Sequence, residues 1–407
     1  MSLVFWRGDN MQLETIAIRD FKALKDLTFS PGRVNVFIGA NGSGKSTLLE
    51  AIGVLSAAMT DRVDTNSLTR KGVRLSASSL YKSAFKNEQK SQTISFEIKW
   101  KSGNAHDLFK YAVHLNPPSD DIAWRYHSES LSLNENKLWG RSGRSKENYD
   151  NSVGMLLTDQ SESMIKIRPE IDPFRNYAIY QPFTAALRGI VPDPQQLSPI
   201  GLNGGRLAEA LEEIIHEQDG DYYLGDGFAI YADEIFEVID WAESIRFSNP
   251  SKERVNSAVP VSRRVIEFKD KFLQDSTRFT AYDASEGALY VLFLYCLSLH
   301  PKAPLIFAVD NFDQAMHPRL ARSVMSKISQ LILQQKKTVF LTTQNPLVID
   351  GLDLSNDDIR LFTLNRSKKN GHVFIERVQI TDELIKEKMP LSQLWTSGRI
   401  GGCPDLL

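Results

Sequence analysis

Apolar and polar positions alternate near the start of the chain. Ile16 and Ile18, then Leu27 and Phe29, each sit between polar neighbours, which predicts two strands followed by a turn at Pro31-Gly32. Val34 to Ile38 is a short, apolar run of the buried-strand type that leads directly into glycines. Thr47 to Ala58 carries apolar residues around most of its circumference, as a core helix does. Residues 59–90 are polar and rich in Ser and Lys, and read as a flexible excursion. Alternation returns at Ile94, Phe96, Ile98 and Trp100 and again at Phe109, Tyr111, Val113 and Leu115, a hairpin joined through Ser102-Gly103-Asn104. Residues 134–165 are again polar.

The second half has a helical period. Leu207, Leu211, Ile214 and Ile215 mark an amphipathic helix over Gly205 to Glu217, and a second is expected over Ala232 to Ile245. Ala288 to Leu299 reads as an apolar helix, Leu305 to Val309 as a buried strand, Arg319 to Gln335 as a helix and Val339 to Thr342 as another buried strand. No internal repeat is visible, and no heptad run is long enough for an extended coiled coil.

Composition changes this picture little. The 407 residues are 42% hydrophobic and 24% charged, enough apolar surface for a sizeable core. A formal net charge of −2 gives no general argument for nucleic acid, although a local basic face stays open. Arg141, Arg144 and Lys146 form one such cluster, and Arg254, Arg263, Arg264, Lys269 and Lys271 another; both read first as solvated faces. The two cysteines, Cys296 and Cys403, suggest neither a disulfide framework nor a zinc site. No run approaches the roughly 20 apolar residues of a membrane span, and the start of the chain lacks a secretory pattern. A cytoplasmic protein without a membrane partner is expected.

The candidate chemistry begins at Gly39-Ala40-Asn41-Gly42-Ser43-Gly44-Lys45-Ser46, a full match to G-x-x-x-x-G-K-[ST] between a buried strand and a helix. Glycines let successive backbone N–H groups converge on phosphate oxygens, and the helix adds its positive N-terminal end. ATP with Mg²⁺ is the expected cofactor. Gly39, Asn41, Gly42, Ser43, Gly44, Lys45, Ser46 and Thr47 are the binding candidates, with Lys45 on the β- and γ-phosphates and Ser46 on the metal. A second metal-shell carboxylate is supplied by Asp310, which ends the apolar strand Leu305 to Val309.

With these residues in hand, the chain resembles the ABC-type ATPases, in the branch of RecF, SMC and the overcoming-lysogenization-defect proteins, labelled AAA-family ATPases of the AAA_21 or AAA_15 type. The resemblance rests on Val34 to Glu50, Asp283 to Leu297, Leu305 to Pro318 and Leu341 to Pro346, with Asp20-Phe21-Lys22 and His317-Pro318 in support. It extends to Gly204-Gly205-Arg206-Leu207-Ala208 and to a tail carrying Leu391 to Trp395, Ser397-Gly398 and Gly401-Gly402. It implies an α/β fold: a P-loop NTPase of the ABC-ATPase head type, with a mixed β-sheet core, helices on both faces and an inserted α+β lobe. The expected division is 1–58 and 281–407 for the two halves of the head and 59–280 for a hairpin-rich region and helical insert. The resemblance further implies a head-to-head dimer, or a higher oligomer, in which Ser285 and Gly287 of one chain meet the γ-phosphate held by the other.

Two positions depart from that family. Asn311 stands where a catalytic glutamate usually follows the acidic strand, and Gln344 where a histidine usually senses the γ-phosphate. An amide orients water but takes no proton from it. Asp313 is a nearby carboxylate that could substitute. The expected activity is therefore ATP hydrolysis with weak turnover, in a nucleotide-held switch. The resemblance suggests control of a separate effector such as a nuclease, in anti-phage defence or genome maintenance. A RecF-like clamp on duplex DNA is the alternative, and a transporter subunit is disfavoured because the signature is not Leu-Ser-Gly-Gly-Gln. After Pro346 no acidic cluster suited to two-metal nuclease chemistry follows. Adenine contacts and the glutamine of the Q-loop are left unassigned.

Overall fold

The computed structural model describes residues 11–60, 62–102, 107–118, 123–142, 150–154, 156, 161–193, 195, 197–218, 221–224, 229–249, 264–379 and 389–403. Strict alternation builds the first of two large sheets. It contains β1 (Gln12–Phe21), β2 (Leu24–Phe29), β4 (Ile94–Ser102), β5 (Asp107–Asn116), β6 (Arg125–Leu133) and β7 (Asn136–Arg141), in the order β2-β1-β4-β5-β6-β7 and antiparallel throughout. One face presents Ile16, Ile18, Phe96, Ile98, Trp100, Tyr111 and Val113, all buried, while the intervening residues meet solvent.

Continuous apolar runs build the second sheet, ordered β17-β16-β3-β15-β14-β8. Here β3 (Val34–Ile38), β8 (Ile179–Tyr180), β14 (Ile306–Val309), β15 (Thr338–Thr342) and β16 (Ile359–Arg366) run parallel, and β17 (Val373–Arg377) closes the edge antiparallel. Residues of β3, β14 and β15 are buried on both faces because each face is covered. Helix α1 (Lys45–Thr60) lies between the two sheets, which is why it is apolar all round: Phe37, Phe340 and Phe362 meet it from one side and Ile98, Trp100 and Tyr111 belong to the same core. The opposite face, through Val34, Val36, Ile38 and Val309, packs on the helices over Glu286–Leu299 and Pro318–Gln334.

Between these lie α2 (Thr65–Arg70), α3 (Glu162–Arg175), α4 (Thr184–Leu187), α5 (Leu207–Ile214) and α6 (Ala229–Val238). They are followed by α7 (Glu286–Leu299), α8 (Pro318–Gln334), α9 (Pro346–Ile349) and α10 (Leu391–Thr396). A ribbon joins β9 (Ile215–Gln218) to β10 (Asp221–Leu224), and a small sheet joins β11 (Ala242–Ser248), β12 (Val265–Asp270) and β13 (Arg278–Thr280).

Three expectations change. The helix expected through Glu217 ends at Ile214, and Ile215–Gln218 is a strand. Residues 59–90 are not a plain excursion: Asp64 caps α2 through a reciprocal box with Ser67, and Val63, Leu68, Val73 and Tyr81 are buried. Four anchors scattered among polar residues carry no period, so the pattern hid them. The helix expected through Ile245 ends at Val238, and Ala242–Ser248 is a strand. A bulge between Ala242 and Ser244 spaces the buried Ala242 and Ile245 three apart, which imitates a helical face.

The described members of the two basic clusters are held by partners. Arg141 is buried, its Nη2 lying 3.3 Å from Glu129 while the guanidinium donates to the carbonyls of Asp150 and Val153. Arg264 pairs with Glu212, Lys269 with Glu243 and Asp275, and Lys271 with the Asp240 carbonyl. Arg144, Lys146, Arg254, Arg263, Gly103 and Asn104 lie outside the described residues.

Candidate nucleotide site

Parallel register brings four strand ends to one edge. Ile38 is level with Thr363, Phe37 with Thr342, and Val309 with both Leu341 and Tyr180. The residues that follow these strands therefore converge, and ligands of open α/β sheets sit at such an edge.

The loop from Gly39 to Gly44 turns with left-handed backbone at Gly39, Gly42 and Gly44. Gly39 has a φ of 154°, and a Cβ there would lie 2.4 Å from the Leu364 carbonyl oxygen, so only glycine fits. At Gly44 a Cβ would press on Val373 at 3.1 Å. Inside the loop the Ser43 hydroxyl is buried with no partner among the described residues. Lys45 is buried, and its Nζ donates to the carbonyls of Gly39 (2.7 Å) and Ala40 (3.0 Å). Burial lowers its pKa, an effect partly opposed by the Asp310 carboxylate. A desolvated ammonium, an orphan hydroxyl and a glycine cradle fit a phosphate chain.

Asp310, 5% exposed, is the hub of the edge. Its Oδ2 accepts from Ser46 Oγ (2.8 Å) and from Gln181 Nε2 (3.1 Å), and its Oδ1 from Thr342 Oγ1. The structure thus joins Ser46 and Asp310, as their expected shared metal role requires. A serine hydroxyl and a carboxylate at this spacing are oxygen donors suited to Mg²⁺.

Asn311 has a left-handed backbone (φ 57°), its N–H donates to Thr342 Oγ1 (2.8 Å), and it is exposed. Asparagine tolerates that conformation better than glutamate does. Asp313 accepts from Thr343 Oγ1 (2.7 Å), which holds it on the neighbouring strand end. Gln344 is exposed just beyond. Ser285 and Gly287 lie elsewhere, at the start of α7. Ser285 is exposed and caps the helix by accepting from Ala288 N (3.4 Å), and a Cβ on Gly287 would sit 3.3 Å from the Ala315 carbonyl oxygen. Asn41 is exposed in the loop, and Thr47 is the third residue of α1.

Three further residues join the site. Gln181 follows a strand of only two residues, too short for a periodic signal. Glu50 is buried on α1 and holds both Lys22 (2.8 Å) and Arg74. Arg74 has its pKa raised, chiefly by the bond to Glu50, with Asp310 adding to it from farther off. Lys22 and Arg74 open onto a cavity of about 550 Å³ that Lys82, Phe85 and Arg366 also line. That cavity flanks the phosphate loop: Val373, which abuts Gly44, donates its N–H to the Ala23 carbonyl on the cavity wall.

Residues 34–350 match the family described as "AAA domain, putative AbiEii toxin, Type IV TA system". The chain belongs to that family. Among curated proteins, a DNA replication and repair protein RecF from Renibacterium salmoninarum is 47% identical over 55 residues, 13% of this chain and 14% of the relative. Another from Pseudoalteromonas atlantica is 35% identical over 88 residues, 21% and 20% respectively. The chain therefore spans a fifth or less of these relatives. Among solved structures, an SMC head bound to the C-terminal winged-helix domain of ScpA aligns with a TM-score of 0.54 at 14% identity, over 92% of this chain and 99% of that one. The SMC head domain of Thermotoga maritima aligns at 0.50 and 12%, over 91% and 100%. At such identities the agreement is one of fold, and it bears out the expected ABC-type head. Among the described residues no helix is long and apolar enough to cross a membrane.

Proposed function

We propose that this chain binds ATP and Mg²⁺ at the edge formed by Gly39–Ser46 and Asp310, dimerises around the nucleotide, and hydrolyses it slowly. The observation that carries the reading is the contrast at the end of β14. Asp310 is gripped by Ser46, Gln181 and Thr342, whereas its neighbour Asn311 offers no carboxylate to a water. In this reading Lys45 and the loop N–H groups bind the phosphates, Ser46 and Asp310 hold the metal and its waters, and Gln181 orients a water on the same shell. The cavity beside Lys22 and Arg74 is the place for the adenosine end. Ser285 and Gly287, remote from their own chain's loop, face the nucleotide of a second copy. Asn311, Asp313 and Gln344 are the hydrolytic candidates, and the state with nucleotide bound outlasts the chemical step. Such a switch suits control of a separate effector, a nuclease or toxin, in defence or genome maintenance.

Titration with a fluorescent ATP analogue, sedimentation with and without Mg-ATP, and single-turnover hydrolysis test this reading together. Tight binding, a dimer that needs ATP, and turnover far below that of ordinary ABC ATPases are expected. Fast steady-state turnover sinks the slow switch, and so does its collapse in Asp313→Asn alone.

A RecF-like DNA clamp is the second reading, favoured by the local identity to proteins named for DNA replication and repair. Pairing of Arg141, Arg264 and Lys269 with carboxylates weakens it. Salt-sensitive duplex binding that requires ATP is its distinguishing result.

A further inference from the structure

The segment between Gln181 and Leu207 connects two parts of the proposed site that the chain holds apart. Its first residue touches the metal edge through the bond from Gln181 Nε2 to Asp310. The segment is then pinned at several points. Gln181 donates its N–H to the Leu202 carbonyl, and its own carbonyl accepts from Asn203 Nδ2 (2.9 Å). Asp193, 4% exposed, accepts from the N–H groups of Gln195 (2.9 Å) and Asn203 (2.8 Å). A Cβ on Gly204 would lie 2.4 Å from Leu187, and one on Gly205 2.6 Å from the Asp193 Cβ. The Gly204-Gly205 pair is therefore what allows the segment to fold flat onto α4. Glycine packing and a buried carboxylate thus hold the described residues of the strap together.

The strap is bonded both to α7 and to the residue that precedes its cap. Tyr290 donates to the Pro182 carbonyl, and Arg188 Nη2 donates to the Ala284 carbonyl at 3.1 Å. Ala284 immediately precedes the helix cap Ser285. The Arg188 Nε is buried with no partner among the described residues. An unsatisfied buried donor is unfavourable for stability alone, and such groups call for a functional explanation. We propose that Arg188 is a positioning residue that fixes the Ser285 cap relative to Gln181, so that filling the metal edge sets the surface offered to a second copy of the chain. This rests on the ATP-dependent dimer proposed above.

The test uses the full chain with Arg188→Ala and Arg188→Lys. Methylanthraniloyl-ATP binding measures the site within one chain, and sedimentation velocity with Mg-ATP measures the dimer. Arg188→Ala is expected to bind the analogue within about twofold of wild type while its dimer weakens about tenfold, the worth of one charge-assisted hydrogen bond. Arg188→Lys, which keeps the charge, recovers part of that loss. A dimer of wild-type strength in Arg188→Ala overturns the proposal. So does an equal loss of analogue binding and dimer accompanied by a lower Tm, since that marks a merely structural role. A wild-type chain that binds the analogue yet never dimerises removes the underlying reading, and this one with it.

Discussion

Asp310 and Asn311 are neighbours in sequence and opposites in surroundings. The carboxylate is buried and accepts from three side chains placed by three other strands, at or beyond their ends. The amide is exposed and left-handed, and its backbone alone is tied, to Thr342 and to the Gln314 N–H. Gln344, on the next strand end, is equally open to solvent. Groups that are over-determined by packing tolerate no change, whereas exposed groups with few partners change function without disturbing the fold. In the proposed reading, the molecule thus separates holding a nucleotide from cutting it.

The sharpest way to break that contrast is Lys45→Ala. It removes the buried ammonium from the phosphate loop and is expected to weaken ATP analogue binding about a hundredfold, read by fluorescence titration. Asp310→Asn comes next: as a partner of the metal shell it should raise the Mg²⁺ concentration needed for binding by about 10- to 100-fold. Asn311→Glu restores the absent carboxylate, and single-turnover rates should rise about tenfold. That is less than the roughly 10²–10⁴-fold a general base can contribute, because glutamate fits the left-handed backbone poorly. Gln344→Ala should lower single-turnover hydrolysis about threefold, since a neutral amide orients a water without moving its proton; no loss at all would remove Gln344 from the hydrolytic candidates.

The last prediction concerns stability rather than activity, far from the site. Lys337 Nζ is buried and donates to the carbonyls of Leu297 and His300 at the end of α7, and burial holds its pKa down at about 7. The unfolded chain keeps that proton up to about 10.5, so between these values it binds more protons than the folded chain. Stability should therefore rise with pH through that window, by at most about 1.4 kcal/mol per pH unit, while below pH 7 both states are charged and the burial penalty is constant. Denaturant titrations of Lys337→Met should lack this component of the slope.

Much of the binding half was legible in the sequence because its requirements are contiguous. Gly39, Gly42 and Gly44 meet backbone demands that no other residue satisfies, and Lys45 and Ser46 follow at once. The strand ending at Asp310 was legible from its unbroken apolar run. Gln181, Glu50 and Arg74 were not, because their significance lies in pairings between distant segments. Nothing near Arg74 in sequence points to a carboxylate on α1. The strands Ile359–Arg366 and Val373–Arg377 escaped as well: the first is buried at Leu361, Phe362, Thr363 and Leu364 in succession, with neither alternation nor length to announce it.

Glu50 lies five residues beyond Lys45 on α1 and already neutralises Lys22 and Arg74. An anion arriving at this cavity would find two of its four cations, Lys22 and Arg74, already paired with a fixed carboxylate rather than with mobile ions alone. Fewer small ions would be released from these two on binding, which softens the dependence of nucleotide affinity on ionic strength. Replacing Glu50 by Gln would hand that neutralising task to the solvent, and the same affinity would become steeply sensitive to salt.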